Sequence, residues 1–192
     1  MKNLNTYICE SLLNNPGVVN TVRTVVQKLV PKLSERDTIR TEENNVAMIC
    51  DELKSELELY DVMTLDEYYS ENMTKFKSKT DCALRAGNII LRHIHNKKEY
   101  HFYLKVSKKF FGEISMNSIV NFDKDGYYIF AIKSTKTVRI VDHSRVISGI
   151  ELGDLRVNQH SDSENSTLIK FNGKNYRTTD YLNKVDLAGF LL

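Results

Sequence analysis

Hydrophobic and polar positions alternate along residues 100–109, and this alternation is the clearest strand pattern in the chain. The two alternating sets are His101, Tyr103, Lys105 and Ser107 on one face, and Phe102, Leu104 and Val106 on the other. A period of two residues is typical of a half-buried strand whose polar side faces solvent. The sequence also predicts an apolar strand over residues 87–94, joined to the first by a polar turn over residues 95–99.

Apolar residues recur at helical spacing in the first part of the chain. This spacing predicts helices over residues 3–13, 18–30 and 40–60. Thr64 is followed three residues later by Glu67, which is the pattern of a capping box and predicts a further helix to about Met73.

The pattern after residue 77 is mostly that of β-structure. The pattern predicts a short strand or buried turn over residues 118–122. It also predicts a central strand over residues 127–132 and its hairpin partner over residues 137–141. We expect an exposed loop over residues 158–166 and a hairpin around Asn172-Gly173 over residues 167–177. The apolar tail, residues 185–192, is expected to pack on the core. We therefore expect a single α+β domain over residues 1–192, with residues 1–76 mostly helical and residues 77–192 forming mostly a mixed β-sheet.

Composition narrows the function classes only slightly. The 192 residues are 41% hydrophobic and 27% charged, with a net charge of +2, so the chain is not basic enough to coat nucleic acid by charge alone. Three widely spaced cysteines favour neither a disulfide framework nor a zinc knuckle, which predicts a reducing, cytoplasmic setting. No apolar run reaches the length of a membrane span, so we expect no membrane association.

One stretch of the sequence resembles the core of the restriction-endonuclease-like nucleases, the PD-(D/E)XK superfamily. It consists of Asp81, the apolar strand after it, and Lys105 followed by Val-Ser. In that pattern an aspartate and an (Asp/Glu)-x-Lys motif lie at the adjacent ends of two paired strands. The resemblance implies that carboxylates bind Mg²⁺ and that Lys105 acts on the attacking water and on the phosphate in the transition state. It covers about residues 79–147.

Two positions depart from the superfamily pattern. Thr80-Asp81 stands where Pro-Asp is expected, and Tyr103-Leu104-Lys105 stands where (Asp/Glu)-x-Lys is expected, so one carboxylate is missing. Glu43, Glu99 and Glu113 compete to replace it, and Glu43 is preferred because the superfamily often takes a glutamate from a helix. The resemblance thus implies Asp81 and Glu43 as metal ligands, with Lys105 as the third catalytic residue. The alternative for Glu43 is that it complements the dipole of its helix.

Several lysines lie near the resembling segment and are candidates for contacts with DNA phosphates. They are Lys75, Lys77, Lys79, Lys108 and Lys109. A DNA-cutting protein should gather these lysines into one groove beside Asp81. In the alternative interpretation, residues 75–79 are a solvated loop.

Two functions remain open from the sequence. The first is a nuclease-like protein acting on DNA with Mg²⁺-dependent phosphodiester hydrolysis. The second is a non-catalytic binding protein on the same scaffold, either a virion component or an inhibitor of a host system. Such a protein should expose an apolar or aromatic patch to its partner, and the candidate residues are Tyr68, Tyr69, Phe110 and Phe111. The first residues resemble short leaders on many tailed-phage proteins, which implies the host cytoplasm or a virion as the location.

Overall fold

A computed structural model of the chain describes residues 16–36, 38–108, 113–151, 156–159 and 167–170. The helices are α1 (Pro16–Leu29), α2 (Ile39–Glu56), α3 (Leu65–Asn72), α4 (Lys79–Ala86), α5 (Met116–Asn121) and α6 (His143–Glu151), with a 3₁₀ turn at Met73–Lys75. The strands are β1 (Tyr60–Thr64), β2 (Ile89–His93), β3 (Glu99–Ser107), β4 (Glu113–Ser115), β5 (Tyr127–Ile132), β6 (Thr137–Asp142), β7 (Arg156–Gln159) and β8 (Thr167–Lys170).

Five of the strands form one mixed sheet in the order β1-β2-β3-β5-β6. β1, β2 and β3 pair antiparallel, β5 runs parallel to β3, and β6 returns antiparallel to β5. The parallel pair requires a crossover connection, and α5 lies within it. The strands β4, β8 and β7 form a separate three-stranded sheet. The predicted α+β class with a mixed sheet is confirmed.

Helices cover both faces of the larger sheet. On one face, buried residues of α1 and α2, including Val26 and Leu53, pack against Phe102 of β3. On the other face, residues of α3 and α4 pack against Ile90 of β2, and residues of α5 and α6 pack against Tyr128 of β5. Helices therefore pack on both sides of the strand that carries Lys105. Of its polar face, His101 is buried, whereas Tyr103, Lys105 and Ser107 keep partial exposure.

Local sequence patterns account for most of the helix boundaries. Thr64 and Glu67 form the predicted capping box: the Thr64 N–H donates to Glu67 Oε2 at 2.7 Å, and the Glu67 N–H donates to Thr64 Oγ1 at 3.4 Å. α1 ends at Leu29, close to the predicted boundary. No helix in the described part of the chain is long and apolar enough to cross a membrane.

Three predicted elements differ from the structure. The helix expected over residues 40–60 ends at Glu56, and the five residues of β1 follow where no strand was predicted. The short strand or turn expected at residues 118–122 falls largely within helix α5. The loop expected from residue 158 begins inside β7. The predicted N-terminal helix, the Asn172-Gly173 turn and the apolar tail lie outside the described residues.

Candidate functional site

Lys105 lies in the second half of β3, where a cleft opens between the sheet and the start of α2. Its side chain is 21% exposed, and Nζ is 4.0 Å from Glu42 Oε1 in the first turn of α2. We call this the Lys105 cleft; its lining includes Ser34, Glu35, Arg36, Glu42, Asn45, Asn88, Lys105, Ser107 and Lys108. The sequence placed Lys105 correctly on a strand, but it did not single out Glu42 as its neighbour.

Tyr103 lies two residues before Lys105 on β3. Its ring packs against two aromatic residues of the core, with centroids 6.4 Å from Phe122 and 6.2 Å from Tyr128. Tyr103 therefore contributes to the packing under α5.

The prediction that Asp81 lies at the start of a strand is wrong. Asp81 lies in the first turn of helix α4. The reason is local: Ser78 Oγ accepts the Asp81 N–H at 3.1 Å, and Asp81 Oδ2 accepts the Lys77 N–H at 3.0 Å. A serine followed three residues later by an acid is a helix-start signal, and it identifies this helix from the sequence. Asp81 Oδ2 also lies 4.0 Å from the Arg85 guanidinium.

Asn88, rather than Asp81, is the polar residue that lies at the start of a strand near Lys105. It immediately precedes β2, and its Oδ1 accepts the Leu104 N–H at 2.9 Å, beside Lys105. Its own N–H donates to Phe102 O at 2.9 Å. Asn88 was not among the predicted site residues, because the resemblance implied an acid at a strand start. Its signal in the sequence is a polar residue directly before the apolar strand.

Glu43 lies in a second cleft of about 590 Å³ between α2, the start of α3 and α4. Its Oε1 is 3.6 Å from Lys79 Nζ, and Lys79 also pairs with Asp66. The hydrogen bond to Asp66 raises the pKa of Lys79. The lining includes Lys79, Thr80 and Ala83 of α4, whereas Asp81 is absent from it. The described contacts therefore place Glu43 and Asp81 with different partners.

The lysines that were expected in one groove are distributed among three clefts. Lys108 lies with Lys105 in the Lys105 cleft, Lys79 lies in the second cleft, and Lys75 lies in a third cleft beside Arg85. Lys77 contributes its backbone N–H to Asp81, and Lys109 lies outside the described residues. The three clefts differ in charge and in lining.

The side chains around Lys105 do not fit the two-carboxylate magnesium site that the resemblance implies. Mg²⁺ prefers oxygen ligands, and the carboxylates of the Lys105 cleft are Glu35, 3.1 Å from Lys133 Nζ, and Glu42 beside Lys105 itself. Within the described ranges, no three His, Cys, Asp or Glu side chains are grouped so that they could hold a metal ion. Metal binding by Asp81 and Glu43 stays a prediction.

Comparison with known proteins adds little information about the function of this chain. No family model matches the chain, and no curated protein matches it. Among solved structures, the chain is similar to a nuclease from a fusselovirus, with 11% sequence identity and a TM-score of 0.39. The superposition covers 81% of this chain and 96% of that chain. A likeness at this level carries no argument about function.

Proposed function

We propose that this chain binds DNA through the Lys105 cleft, on a restriction-endonuclease-like scaffold, and that it recognises phosphates without cutting them. The observation that carries this proposal is the position of Lys105. It lies on a central strand, at the mouth of a cleft, next to the start of the paired strand β2.

The order of the elements supports the choice of scaffold. A helix with Glu42 in its first turn precedes the sheet, and β2 and β3 form the hairpin that the resemblance implies. A crossover through α5 then brings β5 parallel to β3. We take Lys105 as the counterpart of the lysine in the superfamily pattern, because it lies on the second strand of this hairpin.

The charge of the Lys105 cleft supports an anionic ligand. Arg36, Lys105 and Lys108 line it, and Lys133 approaches Glu35 at its border. The cations exceed the two glutamates, so the cleft presents a positive surface toward a phosphate. Contacts from Lys and Arg to phosphates supply most of the sequence-independent affinity of proteins for DNA.

The proposal separates binding from hydrolysis because two positions lack acids. Asn88 stands at the start of β2, and Tyr103 stands two residues before Lys105. Phosphodiester hydrolysis of this type needs carboxylates to hold the metal ion. In place of these carboxylates, the chain has the amide of Asn88, which already accepts a backbone N–H, and the ring of Tyr103, which packs against the core.

The alternative of an aromatic patch for a protein partner receives less support. Tyr68, one of its expected members, is only 4% exposed. Tyr69 packs against the same apolar cluster of the core, and Phe110 and Phe111 lie outside the described residues. We therefore favour DNA over a protein partner.

DNA binding is tested by fluorescence anisotropy with a labelled duplex over a range of salt concentrations. We expect the change Lys105→Ala to weaken binding by about two- to fivefold and to reduce the salt slope by about 1, because one phosphate contact is lost. The matched control is Lys97→Ala, in the exposed β2–β3 turn at the opposite end of β3. Equal effects of both changes, or no binding by the folded wild type, would contradict the proposal.

Hydrolysis is tested separately by nicking of supercoiled plasmid with Mg²⁺, with Mn²⁺ and with chelator. We expect no metal-dependent cutting by the wild type. Cutting that needs metal and disappears in both Asp81→Ala and Lys105→Ala would overturn the non-catalytic part of the proposal and would establish the nuclease.

A further inference from the structure

A third cleft lies beside the first half of β3, and none of its lining residues is shared with the Lys105 cleft. It is formed by the 3₁₀ turn, the end of α4, β3 and the segment after α5. The titratable side chains of its lining include Lys75, Arg85, Glu99, His101, Asp123 and Lys124. We call it the His101 cleft.

His101 lies at the back of this cleft, and its side chain is only 9% exposed. Nε2 is 3.3 Å from Glu99 Oε2, which fixes one side of the ring. Nδ1 on the other side is 3.7 Å from Asp123 Oδ2, which is too long for a hydrogen bond, and this buried nitrogen has no hydrogen-bond partner among the described residues. An orphaned buried polar atom costs free energy, so its presence in a cleft calls for an explanation.

The negative charge of Glu99 is offset within the wall of the cleft, because Arg92 forms an ion pair with its carboxylate. Arg92 Nε donates to Oε1 at 2.8 Å, and Tyr68 Oη donates to Oε2 at 2.8 Å. Asp123 Oδ1 accepts the N–H of Asp125. Glu99 is therefore paired with a cation, and the remaining Asp123 carboxylate is outnumbered by the three cations of the lining, which are Lys75, Arg85 and Lys124.

Two cations at the rim are not neutralised within the described part of the chain. Lys75 and Lys124 are exposed, and no carboxylate there lies within 4.0 Å of either amine. Arg85 is held over the Phe76 ring at 5.5 Å and is half exposed. In contrast, Lys28, Lys54 and Lys79 each have an acidic partner.

We propose that the His101 cleft is a second anion site, which takes a phosphate group between Lys75, Lys124 and Arg85 in front of His101. Three cations that converge on one concave surface attract a multiply charged anion more strongly than any of them would alone. The phosphate belongs either to a free nucleotide or to the backbone of a nucleic acid, since both present the same group. This site is independent of the Lys105 cleft, and the inference does not rest on DNA binding there.

The test is an NMR titration of the full chain with inorganic phosphate, with chloride at equal ionic strength as the reference. We expect phosphate-specific shifts in the amides of Lys75, Arg85 and Lys124 and in the imidazole nitrogens of His101. Shifts spread evenly over exposed lysines, including Lys136 at the β5–β6 turn, would overturn the proposal. The absence of phosphate-specific shifts would do the same.

Charge reversal makes the test quantitative. Lys75→Glu combined with Lys124→Glu should raise the phosphate Kd by at least about fivefold, and Lys136→Glu should leave it unchanged. Retained dispersion of the amide spectrum shows that a variant is folded. If the double variant does not fold, Lys124→Ala alone replaces it. An unchanged Kd in a folded variant would contradict the proposal.

The source of the phosphate is decided by two further probes, thymidine 5′-monophosphate and a short single-stranded oligonucleotide. Tighter binding of the mononucleotide than of phosphate identifies a nucleotide site, and tighter binding of the oligonucleotide alone identifies a backbone contact. Lys105→Ala should leave the phosphate shifts at His101 intact. That result separates a failure of this inference from a failure of DNA binding at the Lys105 cleft.

Discussion

Asn88 shows how a single side chain sets the character of the Lys105 cleft. Its amide oxygen fixes the backbone of Leu104, and its amide nitrogen lies 3.5 Å from Leu104 O. An aspartate could keep the first contact but would place a second carboxylate near Glu42. Asn88 therefore retains the bond between the strands and omits the negative charge.

This difference predicts a gain of metal binding in Asn88→Asp. With a carboxylate at residue 88 beside Glu42, we expect 10 mM Mg²⁺ to raise the Tm of this variant by about 3 °C, whereas the wild type does not respond. The measurement is thermal unfolding with Mg²⁺ and with chelator. Asn88→Ala and the combination of Asn88→Asp with Glu42→Gln are the controls, and a Tm of Asn88→Asp that is insensitive to Mg²⁺ would show that the two carboxylates do not meet.

At the level of single residues, the sequence predicted the cap at Thr64 but not the cap at Ser78. Both follow the same rule, a hydroxyl residue with an acid three positions later. At Asp81 the resemblance to a strand-end aspartate competed with this local signal, and the local signal was correct. His101 was unpredictable for another reason: alternation along β3 cannot reveal that helices cover both faces of the sheet.

Gly87 is the junction between α4 and β2, and its backbone tolerates no side chain. Its φ is +73°, and a Cβ would lie 2.4 Å from Phe102 O. This close approach brings the start of β2 against β3. The position of Asn88 thus depends on the glycine before it.

We expect Gly87→Ala to reduce the free energy of unfolding by about 3 kcal/mol, because the strained φ and the clash with a backbone oxygen add together. The matched control is Gly17→Ala in the first turn of α1, where no atom lies within 4 Å of an added Cβ. That change should be neutral or should stabilise by about 0.5 kcal/mol. Urea unfolding of both variants checks the pair, and equal stabilities would refute the steric argument.

Elements that depend on distant partners were the hardest to predict. β1 has only five residues, and its formation depends on antiparallel pairing with β2, from Tyr60 opposite His93 to Thr64 opposite Ile89. The preceding helix carries an apolar stripe whose spacing continues in sequence up to Tyr60, so periodicity alone extends the helix too far. The strands β3, β5 and β6 have long enough patterns to be identified without their partners.

Across the whole molecule, Glu99 connects three elements of the fold. Its carboxylate on β3 contacts Tyr68 of α3 and Arg92 of β2 as well as His101. The hydrogen bond to His101, followed by those to Arg92 and Tyr68, lowers the pKa of Glu99 from its ordinary value of 4.5 to about 2. The ionised carboxylate is therefore the form that the folded state favours.

The pH dependence of stability follows from this shift. Because the pKa is lower in the folded chain than in the unfolded chain, the contribution is present above about pH 4.5 and is lost as pH falls toward 2. We expect the free energy of unfolding to fall less steeply between pH 5 and pH 2 in Glu99→Gln than in the wild type. Urea titrations at several pH values measure this slope, and Glu58→Gln on the exposed surface is the control; parallel slopes for Glu99→Gln and the wild type would contradict the network.

The α+β class and the mixed sheet were predictable because their longest strands and helices carry regular patterns. The arrangement of the clefts was not, because it depends on which strand ends meet which helix starts. Lys105 was identified by its context, but Glu42, Asn88 and His101 became relevant only through contacts between segments distant in sequence.

The parallel pairing of β3 with β5 has a kinetic consequence. β2 and β3 can pair as soon as both have been synthesised, since a short turn joins them. The other edge of β3 pairs with residues that follow only after β4 and α5, from Phe102 opposite Tyr127 to Ser107 opposite Ile132. During synthesis this edge of the apolar strand stays open, and open edges of this kind recruit strands from other chains. We therefore expect truncation before Tyr127 to yield a chain that aggregates, and folding of the full chain to be limited by closure of this edge.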